Sequence, residues 1–309
     1  MVDAIKIGVI GFSEGNGHPF SFSSIINGYE PIPAAWRDWE GILSYLKKQD
    51  PVDIGVPGAR VSHVWTQDLE LSGRIAAAAR IEHICQTLDE MTDDVDAVVL
   101  ARDDYEKHYE MAKPFLDAGK HVFIDKPLAV DPEALRYFAP FLASGQLMSC
   151  SGLRYARELD TLRATLPDLG DIRLVRGCVV RGWEKYGIHM LDAIFGVLPF
   201  RVQTVAAQRE DPFSVVLKGA RGEIVQIDCL GDSVKTFQID VWGSAGRFSC
   251  EITDNFSAFR RTMIRFVELV RGAKPPIDAA SVLDLMKILI AGRISAKEKR
   301  EVSLEEILL

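Results

Sequence analysis

Cysteine is scarce in this 309-residue chain and follows no pattern: Cys85, Cys150, Cys178, Cys229 and Cys250 are odd in number, scattered, and set mostly in apolar runs. That excludes a disulfide framework. No Cys/His cluster has zinc spacing, so no metal is expected, and the thiols read as reduced and buried in a cytoplasmic protein. Basic blocks are absent, and a net charge of −8 argues against a nucleic-acid surface. Apolar runs of bilayer-spanning length are absent too. Because a strand pattern also begins almost at once, neither membrane association nor a signal peptide is expected.

What is present is an ordinary soluble composition, 48% hydrophobic and 26% charged, in a chain long enough for two domains. The most informative stretch runs from Val95 to Ala129. Val95–Ala101 is a continuous apolar run, as expected of a parallel strand buried on both faces. A charged turn (Arg102, Asp103, Asp104) leads into Tyr105–Asp117, apolar at helical spacing; Gly119 stops that helix, and His121–Ile124 is a second apolar run. Strand, helix and strand in so few residues make a right-handed βαβ unit with parallel strands. Asp125-Lys126-Pro127 then falls at the carboxyl end of the second strand, where open α/β sheets bind ligands. A lysine there, with a proline fixing the exit of the chain, is placed to meet a substrate.

The same stretch resembles the Gfo/Idh/MocA family, the glucose–fructose oxidoreductase and inositol dehydrogenase-like NAD(P)-dependent oxidoreductases, in divergent form. The residues that carry the resemblance are His108-Tyr109-Glu110, Ala118-Gly119-Lys120-His121-Val122 and Asp125-Lys126-Pro127-Leu128, with aspartate where the family has glutamate. The resemblance implies an α/β protein: an N-terminal Rossmann-type, doubly wound parallel sheet (residues 1–150), then an α+β domain with a mainly antiparallel open sheet (residues 151–309). It further implies NAD or NADP as cofactor, and Lys126 as the residue that hydrogen-bonds the reacting hydroxyl. Asp125 and Lys126 would also border the cofactor, as would Ala101 and Arg102 at the end of the preceding strand.

The N-terminus opens with an apolar strand, Ile5 to Gly11, as dinucleotide-binding folds do. In place of the full Gly-x-Gly-x-x-Gly fingerprint it continues Gly11-Phe12-Ser13-Glu14-Gly15-Asn16-Gly17-His18-Pro19. The turn still offers backbone N–H groups and a helix N-terminus to a pyrophosphate, with Pro19 as the first helical residue. Gly11, Phe12, Ser13, Gly15 and Asn16 are therefore the expected cofactor contacts, while Glu14 would repel the phosphates. Residues 28–59 form an insertion relative to the family, with a helix expected over Trp36–Gln49 whose Trp36/Trp39 stripe suits core packing or a subunit contact. Asp68, after the second strand, is the candidate for the ribose hydroxyls, and no arginine adjoins it to hold a 2′-phosphate, so NAD is favoured over NADP.

Beyond Ser151 the character changes. Apolar runs at Ile172–Val180, Gln203–Ala207, Phe213–Leu217, Ile224–Leu230, Phe237–Trp242 and Arg247–Ile252, mostly without helices between them, predict an antiparallel sheet. Helices follow at Phe259–Arg271 and Ser281–Lys297, the latter expected to pack back on the first domain. Alternate residues of Phe237–Trp242 are apolar on both sides, which predicts a homodimer or homotetramer assembled through the open face of the sheet.

Tyr186-Gly187-Ile188-His189-Met190-Leu191-Asp192 resembles the family's Asp-x-Gly-x-His-x-x-Asp segment, so His189 is expected to face the substrate. Lys185 stands where the family has the first aspartate. A histidine suits proton removal from an alcohol at neutral pH, and positive charge on Lys126 and Lys185 would keep it a neutral base. Arg154-Tyr155 resembles the family's Arg-Phe/Tyr segment bordering the substrate, and Trp183 and Tyr186 are candidates to stack on a sugar face. His108 is a second-tier candidate. These residues suit hydride transfer at a secondary alcohol or ketone of a sugar, nucleotide sugar or polyol. The alternatives are a catalytically weak ligand-binding protein on the same fold and a reductase of a non-sugar carbonyl or imine.

Overall fold

In a computed structural model, the described residues are 4–31, 39–198 and 200–309. The opening apolar run is β1 (Ile5–Ile10), followed by α1 (His18–Asn27) with Pro19 in its first turn, where no N–H is needed. After α2 (Glu40–Leu46) come β2 (Ala59–Trp65), α3 (Leu69–Ala78), β3 (His83–Ile84), a short α4 (Asp89–Thr92) and β4 (Ala97–Leu100). The series continues with α5 (His108–Asp117), β5 (His121–Ile124), α6 (Pro132–Ser144) and β6 (Leu147–Ser149). The six strands form one sheet in the order β3-β2-β1-β4-β5-β6, every pair parallel. All four residues of β4 are buried, as a strand covered by helices on both faces requires. The strand order reverses between β1 and β4, so the loops after them, 11–17 and 101–104, border the crevice at the switch point.

The second sheet has seven strands, ordered β12-β11-β7-β10-β9-β8-β13. In chain order the elements are α7 (Asp160–Thr165), β7 (Ile172–Val179), α8 (Ile188–Phe195), β8 (Val202–Glu210), β9 (Phe213–Gly219), β10 (Ile224–Cys229), β11 (Phe237–Gly243) and β12 (Arg247–Glu251), then α9 (Asn255–Val270), α10 (Ala279–Glu298) and β13 (Val302–Ser303). The expected antiparallel pairing holds except at one place. β10 runs parallel to β7, because the chain crosses over through α8 and the β8–β9 hairpin before it returns to β7's edge. The sheet is mixed and mainly antiparallel.

The chain divides into two compact units: residues up to Ala129 with Arg136–Ser149 and Phe259–Ala279, and Val130–Leu135 with Cys150–Ala258 and Ala280–Leu309. The segment that returns to the first unit is therefore 259–279 rather than the expected 281–297. Its aromatic residues explain this: Phe259 packs edge-on against Phe22 (centroids 5.4 Å apart) and Phe266 lies 5.9 Å from Phe123. α10 stays with the second unit, where Trp183 Nε1 donates to the Leu289 carbonyl (3.1 Å). Trp36 lies outside the described residues; Trp39 is buried and stacks on Phe20, with centroids 4.5 Å apart. Among the described residues no helix is long and apolar enough to cross a membrane, and no group of three or more His, Cys, Asp or Glu side chains is arranged to hold a metal.

Candidate active site

In the first unit the candidate site is built round the turn after β1. A Cβ on Gly11 would lie 2.3 Å from Cγ of Pro19, so this glycine serves the close approach of α1 to β1. The Phe12 backbone is clasped at both ends by the Gln67 side chain: its N–H donates to Oε1 (2.9 Å) and its carbonyl accepts from Nε2 (2.6 Å). Ser13 Oγ donates to Asp103 Oδ1 (2.7 Å) and receives the Asp103 N–H (3.2 Å), a tie across the switch point. Asn16 is buried, and its Oδ1 caps the His18 N–H at 2.9 Å. The N–H groups of Ser13, Glu14, Gly15 and Gly17 bond to no described residue. These donors, with the positive end of α1 behind them, suit an anion such as a pyrophosphate. The exposed Glu14 lies on the same turn.

Asp68 accepts from the N–H groups of Glu70 (2.9 Å) and Leu71 (3.3 Å), so its carboxylate caps α3. Ala101 is fully buried and extends the β4 ladder through its N–H to the Ile10 carbonyl (2.8 Å). Arg102 is buried as well, its guanidinium held by Asp104 (2.8 Å) and Gln67 (2.9 Å).

At the end of β5, Lys126 is 4% exposed, with its Nζ 3.9 Å from Asp103 Oδ2. Its neighbour Asp125 is buried and meets His18 Nδ1 at 2.6 Å and Asn16 Nδ2 at 3.4 Å. Burial alone would raise the Asp125 carboxyl, but the His18 contact and the Lys126 charge outweigh it and hold it well below the usual carboxylate range. His108 is fully buried; its ring nitrogens lie 2.8 Å from the Leu128 carbonyl and 3.1 Å from that of Arg102, and burial pushes its pKa down. It acts as a brace between the chain segments after β4 and β5.

His189 belongs to the second unit, on the first turn of α8. It is buried, its Nδ1 lies 2.6 Å from Ser151 Oγ, and the rings of Tyr186 and Phe237 stand 5.4 and 5.9 Å away. Asp192, one turn further along, accepts from Arg154 Nε (2.6 Å) and from the Ser151 N–H. Burial pushes the Asp192 carboxyl above its usual range despite the opposing Arg154 charge. Arg154 is thus an internal clasp, while Tyr155 and Tyr186 are half-exposed and Lys185 is exposed. Trp183 corrects an expectation. It is 4% exposed, stacks on Phe213 (5.5 Å) and lies against Gly187 and Gly292, so packing occupies the ring that was expected to meet a sugar.

Residues 45–147 match the GFO_IDH_MocA family, an oxidoreductase family with an NAD-binding Rossmann fold. The matched span contains Asp125-Lys126-Pro127 and ends at Leu147, the first residue of β6. That span, about a third of the chain, is similar to the Gfo/Idh/MocA family. Over 93 residues it is 36% identical to the "Putative UDP-kanosamine synthase oxidoreductase subunit" of Amycolatopsis mediterranei, a match covering 30% of this chain and 25% of that relative. Its fold is that of scyllo-inositol dehydrogenase from Lactobacillus casei: the apo structure superposes with a TM-score of 0.78 at 16% identity, covering 98% of this chain and 99% of that one. The same enzyme with bound NAD(H) and scyllo-inositol gives 0.77 at 16% identity, covering 98% and 100%. At such identities the likeness is one of fold.

The matched span starts beyond the glycine turn and the helix that follows it. Sequence reasoning missed Gln67, Asp103, His18 and Ser151. The first two touch the turn from 55 and 90 residues away, and no local pattern announces them. His18 and Ser151 were legible only as a helix start and a strand end.

Proposed function

We propose that the protein is an NAD(P)-dependent oxidoreductase acting on a secondary alcohol or ketone of a sugar, nucleotide sugar or polyol. The observation that carries this reading is Lys126: a buried ammonium at the carboxyl end of β5, inside the Asp-Lys-Pro motif of the matched family span. Bound nicotinamide nucleotide supplies or accepts the hydride. The turn's N–H groups at Ser13, Glu14, Gly15 and Gly17 receive the pyrophosphate, Lys126 donates to the reacting oxygen, and His189 hydrogen-bonds the substrate. NAD is the preferred form, since Asp68 carries negative charge at the end of β2 and the Arg102 guanidinium is already held by Asp104 and Gln67. Calorimetric titration with NADH and NADPH tests this. Binding of NADH with the weaker binding of NADPH is expected, and binding of neither removes the oxidoreductase reading.

A ligand-binding protein without turnover is the second reading, and one observation favours it. The Phe12 N–H, which would otherwise face the nucleotide, is engaged by Gln67, with Glu14 exposed on the same turn. A sugar or polyol that shifts the thermal midpoint in the absence of any nucleotide effect supports that reading instead.

A further inference from the structure

Ser151 has no exposed surface, and each of its polar groups has a partner within the second unit. Its N–H donates to the Asp192 carboxylate, itself anchored by Arg154 Nε at 2.6 Å, and its carbonyl accepts the Arg154 N–H at 3.1 Å. Its Oγ receives the Leu153 N–H at 3.2 Å and stands 2.6 Å from Nδ1 of His189. His189 and Asp192 are three residues apart on α8, hence on one face, so the contacts that pin the Ser151 backbone also aim its hydroxyl at the imidazole.

A serine hydroxyl has one hydrogen and two lone pairs. The Leu153 N–H takes one lone pair. If Nδ1 carried the ring proton it would take the other, and the hydroxyl hydrogen would lack an acceptor among the described residues in a fully buried place. Leaving a buried donor unpaired shifts a population by roughly fivefold to a hundredfold. With Ser151 donating to Nδ1, every polar group of Ser151 has a partner. We infer that Ser151 is a positioning residue that holds neutral His189 with its ring proton on Nε2, so that the imidazole serves a ligand oxygen as a hydrogen-bond donor.

This inference rests on the proposed role of His189 but changes its chemistry. The sequence led to a neutral histidine that accepts a proton, whereas the tautomer set by Ser151 already carries one on Nε2. Such a ring matches an oxygen that accepts, a carbonyl or the alkoxide it resembles on reduction, as a neutral imidazole can do without changing its protonation. The ligand class it favours therefore presents a carbonyl oxygen at His189.

Nitrogen-15 spectra of histidine-labelled protein, recorded above the titration of the ring and assigned with His189→Asn, read the tautomer directly. Nε2 is expected as the protonated and Nδ1 as the unprotonated nitrogen of His189. In Ser151→Ala the Nδ1-protonated form should rise at least severalfold, and Ser151→Thr, which restores a hydroxyl, should return the single tautomer. Wild-type protein with Nδ1 protonated or with mixed tautomers overturns the inference, as does a Ser151→Ala spectrum identical to wild type. Should Ser151→Ala fail to fold, the wild-type spectrum decides alone. The readout needs neither nucleotide nor substrate, so its failure is distinct from a failed nucleotide titration.

Discussion

His18 Nδ1 and Asp125 Oδ2 meet at 2.6 Å where the first turn of α1 faces the end of β5, joining the glycine turn to the residue beside Lys126. Because the folded Asp125 carboxyl is held below its usual range, it contributes stability that is present above its unfolded value, about pH 4, and is lost as pH falls toward the folded value. Asp125→Asn should therefore be less stable than wild type at neutral pH, by on the order of 2 kcal/mol, and lose less stability on acidification. Circular dichroism melts across the acid range give the comparison; parallel wild-type and Asp125→Asn curves would refute the linkage. His18→Ala, which strands a buried carboxylate, should cost about 3 kcal/mol at neutral pH.

Lys126→Ala should leave nucleotide binding near wild type and reduce turnover by about a hundredfold to a thousandfold, the usual effect of losing one preorganised donor, about 2.7–4 kcal/mol. Its charge lies 3.9 Å from Asp103, which in turn holds Ser13, so calorimetry on the variant is the control for any loosening of the turn. Unchanged turnover on a confirmed substrate removes the assignment.

Lys185→Asp restores the family's residue at an exposed position of the turn leading into α8. If Lys185 is merely a departure in a working site, activity is preserved or raised. If it receives an anionic group of the substrate, KM rises steeply while kcat changes little. Steady-state kinetics with neutral and phosphorylated or carboxylated substrates distinguishes these outcomes.

A homo-oligomer is expected through the open face of the second sheet. Ile224, Leu174 and Trp242 pair in register across β10, β7 and β11, and Ile224 and Trp242 are 40% and 37% exposed. They alternate with the buried Val225, Val175 and Val241, so the row lies on the face away from α8. Multi-angle light scattering should give a dimer or tetramer for wild type and a smaller species for Ile224→Lys with Trp242→Glu. A wild-type monomer at micromolar concentration counts against the assembly.

The βαβ unit was legible almost to the residue because His121–Ile124 and its helix obey local rules: apolar run, helical spacing, glycine stop. Asp125-Lys126-Pro127 was legible for the same reason. The turn after β1 was not, since its conformation is held by Gln67 and Asp103, and a sequence gives no sign of which distant side chain will reach a backbone amide. Trp183 was misread because an aromatic beside a motif looks the same whether it faces a ligand or a neighbouring glycine; only Gly187 and Gly292, whose missing Cβ atoms make room for it, tell the difference. The parallel β7–β10 pair was hidden because strand direction depends on the intervening crossover, which strand composition does not record.

The first unit includes Phe259–Ala279, whose rings close over Phe22 and Phe123. Its apolar core is therefore incomplete until nearly the whole chain has been synthesised. A nascent chain arrested at the end of the first sheet would hold six strands in the correct order and still leave that aromatic surface open to water and to other chains. Cutting the gene near residue 150 to isolate a nucleotide-binding domain should accordingly yield an aggregating fragment, whereas one that carries 259–279 on a short linker should stay soluble.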